Sequence, residues 1–491
     1  MRNTFRNNET ECLELFLNQD IFHIERSFEH ILMSPEMILD RNRWSRQGIE
    51  LIIRPECNQK CEYCYIARYG KELYPMEQRL DKDQIVAKLD AFLDYVFNTR
   101  GIYMDHWELF AGDMFYDNLF FDILDVFYKH LSVLYPKYKP VFENVPGVII
   151  TPTNFSFIED DEKANRVNEY ITKFAEFNWD VGFSISTDGK YAIDTRENRP
   201  LDDAYFEKLF DWAMEHPRNG FHPIVSVSNI DNAIKNYEWW KEMFARYYPK
   251  GDTRGFLPYW LEARNDEWTD EAIYKFNELL MYMLNDRLKM CDNDVDHLAY
   301  HLFVGDGDHG TLVKGDMNDM LDIKIPDNRV QHENLSCSIS ALFIVNLSNL
   351  SMVPCHRLTY PQFKGGHFIY EDGKITGVEA FNFFGYINII TAPACDLPKC
   401  NDCMYHTICH HGCFGAQFEA SGEVFLPAIS VCQLMKKSRY CLLQAYRDMG
   451  ILDSARRQGL LTPRHDLVYE TILREESFRS EEVPAWNHVK I

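Results

Sequence analysis

No run of the ~18 uninterrupted apolar residues that a bilayer crossing requires occurs anywhere in the chain, so a membrane-spanning segment is not expected. Positive charge is scarce. Lys and Arg number 51 against 75 Asp and Glu, a formal net charge of −24, and such a surface repels phosphate backbones. That balance excludes general nucleic-acid binding and reads as a solvated acidic surface. Internal repeats and low-complexity tracts are absent, so a repeat architecture is not expected. The first residues, Met1 to Asn8, are polar and lack the apolar stretch of a secretory signal. A cytoplasmic protein is the expectation.

Against these absences stand 491 residues, enough for a large domain and a smaller one, and 14 cysteines. Disulfides are rare in a reducing cytosol, so close cysteine spacing points to metal or redox chemistry. Most of the cysteines fall in two groups.

The first is Cys57, Cys61 and Cys64, spaced C-x3-C-x2-C with Tyr63 just before the third. Gly48 to Ile53 reads as a strand directly upstream, so the cysteines lie on the loop at its C-terminal end, where α/β barrels place their chemistry. Three thiolates hold three irons of a [4Fe–4S] cubane and leave the fourth open to a ligand. Structural zinc would want four closed ligands, and no fourth lies nearby.

Apolar strand-like runs recur at Glu50–Ile53, His106–Phe110, Val148–Thr151, Val181–Ser186, Ile224–Asn229 and Pro258–Glu262. Amphipathic, helix-length stretches lie between them at Asp81–Val96, Asn118–Leu134 and Asp202–Glu215. This alternation predicts an α/β fold, a curved partial (β/α)6 barrel with covering helices, followed by a small cysteine-rich domain.

The first motif, with its Cys-x-Tyr-Cys-Tyr ending, resembles that of the radical S-adenosylmethionine (SAM) superfamily, in the branch of sulfatase-maturating enzymes and peptide maturases. The resemblance implies the same barrel, a [4Fe–4S] cluster whose open iron binds SAM, and hydrogen abstraction by a 5′-deoxyadenosyl radical. It also implies an electron donor such as flavodoxin or ferredoxin. Ala111-Gly112-Asp113-Met114 is similar to the family's Gly-Gly-Glu-Pro; Gly112 would let backbone approach the ligand, and Asp113 would pair with SAM's ammonium. Thr153-Asn154-Phe155 resembles Thr-Asn-Gly and brings in Asn154. Ser186-Thr187-Asp188-Gly189 with Asp194-Thr195-Arg196 resembles Ser-Leu-Asp-Gly…Asp-x-x-Arg, which gives Ser186 the ribose and Arg196 the SAM carboxylate. Tyr63 joins this cofactor-binding set. Read without the family, Asp188-Gly189 is simply a turn dipeptide.

The second group, Cys395, Cys400, Cys403, Cys409 and Cys413, has Cys337 and Cys355 upstream and Cys432 downstream. It resembles the SPASM module, the twin-cluster appendage of many radical SAM enzymes. By that resemblance Cys337, Cys355 and Cys413 hold an inner auxiliary [4Fe–4S] cluster, and Cys400, Cys403, Cys409 and Cys432 an outer one. The inner cluster's fourth ligand stays open among Cys395, His332 and substrate. Leu350 stands where the family often has glycine and should disturb a hairpin turn. Read alone, Cys400-x2-Cys403 with Cys409-x3-Cys413 also suits four-thiolate zinc.

His356 follows Cys355, where relatives carry a catalytic aspartate, and could act as a base or as a hydrogen-bond donor to cluster sulfur. Cys291, alone beyond the sixth strand, is a candidate hydrogen-atom donor or a buried small hydrophobe, the reading also given to Cys12 and Cys441. Glu262 and Arg264 after the sixth strand could bind substrate or each other. Residues 1–45 read as two helices, around Glu9–Phe16 and His23–Leu39, that cap the barrel's base. The expected order is that segment, the barrel over 46–300, a linker over 301–335, the auxiliary-cluster domain over 336–440 and a helical extension over 441–491. The function expected is oxidation or cross-linking of a peptide or protein side chain. Chemistry on a small molecule such as a sugar, amine or antibiotic precursor is the alternative, and an iron–sulfur redox protein without turnover stands behind both.

Overall fold

The computed structural model describes residues 9–10, 13, 48–101, 103–192, 202–216, 218–248, 260–261, 268–304, 321, 339, 342–391, 400, 403–409 and 413–479. Strand β1 (Gly48–Arg54) is buried along its whole length, as a strand covered on both faces must be. It pairs in parallel with β2 (His106–Ala111), which continues to β3 (Gly147–Thr153), β4 (Trp179–Ile185) and β5 (Asn219–Phe221). The intervening helices are α1 (Tyr65–Leu73), α2 (Lys82–Asp94), α3 (Leu119–Asn144), α4 (Asp161–Ala175) and α5 (Asp203–Glu215). Parallel strands with helical crossovers are the α/β fold expected from the alternating pattern.

Local chemistry sets the element ends. Asp81 and Gln84 form a reciprocal capping box at the start of α2, with bonds of 2.8 and 3.0 Å. Helix α3 runs past the expected Leu134 to Asn144 and bends at Tyr138, between Pro136 and Pro140. The fifth expected strand, Ile224–Asn229, forms only over Ile224–Val225, and a strand that was not expected, Asn219–Phe221, precedes it, the two separated by Pro223, which offers no N–H to a ladder. β5 closes the main sheet, while β6 (Ile224–Val225) pairs separately with β7 (Trp260–Leu261). Helices α6 (Ala233–Tyr247), α7 (Asp270–Met290) and α8 (Val295–Phe303) follow.

The cysteine-rich half is not a detached layer. Its first strand, β8 (Leu342–Asn346), pairs in parallel with β1 from Gly48↔Leu342 to Ile52↔Asn346. β9 (Ser351–Val353), β10 (Gly366–Glu371) and β11 (Lys374–Ala380) then extend the sheet antiparallel, giving the nine-strand order β11-β10-β9-β8-β1-β2-β3-β4-β5. Leu350 adopts φ 54° in the β8–β9 turn and is 1% exposed. The turn therefore survives the loss of glycine, because burial of the leucine side chain offsets the cost of a left-handed backbone.

Helices α9 (Phe383–Thr391), α10 (Phe414–Ser421), α11 (Ile429–Asp448), α12 (Ile451–Arg457) and α13 (Pro463–Arg479) follow among the described residues. Of the N-terminal segment, Leu13 is fully buried beside Gly366, and Ala380 N–H donates to Thr10 Oγ1 at 3.2 Å. These residues pack at the β10–β11 end of the sheet. Among the described residues no helix is long and apolar enough to cross a membrane.

Candidate functional site

The first cysteine loop leaves the C-terminal end of β1. Arg54, the strand's last residue, holds Asp117 with two bonds of 2.7 and 2.6 Å, a bidentate clamp. Gly112 N–H donates to Arg54 O at 3.0 Å and Asp113 N–H to Glu56 O at 2.8 Å. A Cβ on Gly112 would stand 2.0 Å from Glu56 O, so only glycine fits. Besides any approach to a ligand, the glycine here admits the backbone of the cysteine loop. Cys64 N–H closes a turn on Cys61 O at 3.0 Å, and Cys64 is the N-cap residue of α1. Desolvation by the surrounding protein, reinforced by the Asp113 carboxylate and the sulfurs of Cys61 and Cys64, pushes the Cys57 thiol up to about 12. The three sulfurs thus share one electrostatic neighbourhood, and a bound cation is what would hold them as thiolates.

The ends of the next three strands grip this loop. Asp113, 1% exposed, accepts from Phe115 N–H at 2.8 Å, Thr153 Oγ1–H at 3.1 Å and Asn154 N–H at 3.2 Å. Asn154 donates from Nδ2 to Asn58 Oδ1, next to Cys57, at 2.5 Å. Phe155, where glycine was expected, takes φ 65° and is fully buried against Phe157 and Trp212, with centroids 4.5 and 5.0 Å away. Ser186 N–H donates to Thr153 O at 2.9 Å, and Ser186 is half-buried at the end of β4. Asp188, 2% exposed, accepts from Tyr63 O–H at 2.7 Å and from Ile224 N–H at 3.1 Å. Asp188-Gly189 is irregular backbone after β4, and Gly189 O accepts from Ala192 N–H at 3.4 Å, closing a turn over Lys190-Tyr191. It is docked on α6, with Gly189 at φ 98° against Asn236 and Trp240, and it reaches the cysteine loop through Tyr63. Tyr63→Phe deletes one charge-assisted bond to a buried carboxylate, so it is expected to cost about 1–3 kcal/mol in denaturant unfolding.

A buried layer joins this loop to the second cysteine group. Tyr65 and Tyr74 lie against the β1–β8 face with Ile52, Leu342 and Ile344. Burial first, then the charges of Tyr74, Cys355 and Cys64, drives the Tyr65 hydroxyl well above its ordinary pKa, so Tyr65 stands between a thiol of each group. His356 stacks flat on Phe110 at 4.0 Å, and its Nδ1–H donates to Glu50 Oε1 at 3.0 Å. Glu50 is 2% exposed. Sequence reasoning passed over this carboxylate, although a glutamate inside the apolar run Gly48-Ile-Glu50-Leu-Ile-Ile53 is the signal that finds it.

Cys355 is buried and accepts the Arg357 N–H at 3.4 Å. Gly415, two residues after Cys413, abuts Arg357 so closely that a Cβ there would meet Arg357 Cβ at 2.5 Å. This contact brings Cys355 and Cys413, the expected inner pair, to neighbouring elements. Cys400, Cys403, Cys409, Cys413 and Cys432 line a cavity of ≈ 270 Å³. Burial, then the sulfurs of Cys403 and Cys432, pushes the Cys400 thiol up to about 11. Gln417, 1% exposed, lines the same cavity, and neither its Nε2 nor its Oε1 has a protein partner. A buried amide left so is costly unless a guest supplies the bonds. Sequence reading overlooked it, since a glutamine on a short helix carries no local mark.

Cys291 is not brought to either group. Helices α6 and α7 run side by side in one direction, joined by Asp231–Lys275 at 2.7 Å, Tyr237–Asp286 at 3.0 Å and Lys241–Asp286 at 2.6 Å. Because Asn236 and Trp240, in the first half of α6, meet the Asp188 carbonyl, α7 carries Cys291 away from the strand ends. Cys441 is a buried thiol on α11, as expected. Arg196, Glu262, Arg264, His332, Cys337, Cys395 and Cys12 lie outside the described residues, as do the helix at His23–Leu39 and the linker loop at 305–310. None of the described cysteines forms a disulfide.

No family model and no curated protein matches the chain. Among solved structures it is similar to native anSMEcpe with bound AdoMet, at 16% identity and TM-score 0.48 over 83% of this chain and 99% of that one. The same protein with AdoMet and a Cp18Cys peptide matches at 16% and 0.46, with the same shares. SuiB of Streptococcus suis bound to S-adenosylmethionine matches at 12% and 0.42 over 88% of each chain. These likenesses are distant on both measures.

Proposed function

We propose that the chain is a radical SAM enzyme that oxidises or cross-links a side chain of a peptide or protein. One observation carries the reading: three thiols on the loop leaving a parallel strand, gripped by the ends of the next three strands. Among the described residues, the only three metal-binding side chains whose ligand atoms all fall within 4.8 Å of one another lie elsewhere. The loop offers three cysteines and no fourth cysteine or histidine, which suits a [4Fe–4S] cluster with one iron left open rather than a structural zinc closed by four ligands. Cys57, Cys61 and Cys64 would hold a [4Fe–4S] cluster, which would supply the electron for reductive cleavage of bound SAM and so for hydrogen abstraction from the substrate.

The remaining roles belong to the chain's own groups. Asp113, whose carboxylate ties the end of β2 to the end of β3, is assigned SAM's ammonium from the motif. Beside Ser186, the Thr187 hydroxyl is buried without a partner, and a nucleoside hydroxyl would meet it. Arg196 is assigned the SAM carboxylate from the motif alone. Glu50 holds His356 at Nδ1, turning Nε2 outward as the proposed proton acceptor. An auxiliary cluster would be held by sulfurs of the five-cysteine cavity, and the buried, unpartnered Gln417 amide would find its hydrogen bonds there. Cys337 and Cys395 complete the proposed set of ligands, flavodoxin or ferredoxin the proposed supply of electrons.

The substrate class is tested by adding peptide-sized and small-molecule fractions of a host lysate to the reconstituted enzyme with SAM and dithionite. The peptide fraction is expected to raise 5′-deoxyadenosine yield. A rise with the small-molecule fraction alone would replace the peptide by a sugar, amine or related substrate.

A further inference from the structure

The three metal-binding side chains noted above belong to neither cysteine group. Helix α7 ends at Cys291, and Asp292 and Asn293 at φ 56° and 60° reverse the chain. Asp294 then caps α8, accepting from Asp296 N–H at 2.8 Å and His297 N–H at 3.3 Å. His297 and His301, four residues apart, share one face of α8, the same spacing that places two imidazoles on one zinc in metalloproteases. Their Nε2 atoms are 2.8 Å apart. Cys291 is fully buried and His301 4% exposed, while His297 is exposed, and the three ligand atoms lie within 4.8 Å of one another.

We propose that Cys291, His297 and His301 bind a divalent transition-metal ion of the zinc type, with water in the fourth position on the exposed His297 side. One thiolate and two imidazoles are a donor set that zinc favours over the hard cations. Zinc at about 2.3 Å from sulfur and 2.0–2.1 Å from nitrogen needs ligand atoms some 3.3–3.6 Å apart, so side-chain adjustments suffice. The thiol gives up its proton on binding. The ion would fasten the end of α7 to α8, which in turn grips α12 through Asp296–Arg457 at 2.7 Å. The site stands whether or not the radical SAM reading does.

The test uses full-length protein reconstituted anaerobically with iron and sulfide, incubated with zinc chloride, desalted and measured for zinc and iron by mass spectrometry. Wild type is expected to retain one zinc per chain. His297→Ala, at an exposed position whose loss leaves the core intact, and Cys291→Ser should each lose it with iron unchanged. Adding cobalt(II) instead should give a sulfur-to-cobalt absorption band in wild type that Cys291→Ser lacks. A picolinate chelator should lower the melting temperature of wild type and not of His297→Ala. Equal zinc in all three proteins, or zinc that varies only with vacant cluster cysteines as iron falls, overturns the proposal.

Discussion

Replacing Cys57, Cys61 and Cys64 together by alanine is expected to abolish 5′-deoxyadenosine formation while leaving a folded protein with about four fewer irons per chain. The loss should be complete because no other described thiol stands in the loop to take over. The fold should persist because the three cysteines are exposed or half-buried, so truncation opens no large core cavity. The grip of Asp113, Asn154 and Tyr63 on the loop also uses none of their sulfurs. Circular dichroism and iron analysis on the same sample separate loss of cluster from loss of fold. Residual 5′-deoxyadenosine from the triple variant would move the chemistry to another site.

Arg357→Ala is expected to be the most damaging single substitution outside the ligands. Arg357 and Glu419 are an ion pair with side chains 2% and 0% exposed, joined from Nε to Oε1 at 3.1 Å and again from Nη2 to Oε2. Removing one partner of such a pair leaves the other charge buried and costs about 3–5 kcal/mol. The pair also fastens the turn after Cys355 to α10, whose N-cap residue is Cys413, and the guanidinium lies over the Tyr65 ring at 4.7 Å. Loss of auxiliary iron should therefore accompany the fall in the urea midpoint, with the Cys57 cluster lost last. Arg357→Met with Glu419→Leu, which removes both charges, should recover much of the stability. If Arg357→Ala unfolds at the wild-type urea concentration, the clamp does not hold the two segments.

The parallel strands were legible because each is a short apolar run between amphipathic stretches, and β1 to β4 fall where those runs stand. The join between β1 and β8 was not. The partners lie some 290 residues apart, and nothing local in Leu342–Asn346 names its neighbour. Phe155 and Leu350 show a different limit. Both stand where a glycine pattern was expected and both keep the left-handed backbone that glycine serves, because a buried side chain offsets the strain. A motif departure there is a packing exchange, visible only with the core around it. Gly112 adds a close approach that the motif alone does not show, to the backbone of the cysteine loop at Glu56. Cys291 fared similarly: its isolation in sequence hid the two histidines that the α7–α8 reversal brings to it.

The central claim is reductive cleavage of SAM at the Cys57 loop. The direct measurement is the yield of 5′-deoxyadenosine from anaerobically reconstituted wild-type protein given SAM and dithionite, quantified by mass spectrometry beside its iron content. Time-dependent nucleoside that requires both dithionite and bound iron is the expected result. A fully iron-loaded protein that makes none contradicts the account and leaves an iron–sulfur protein without this chemistry.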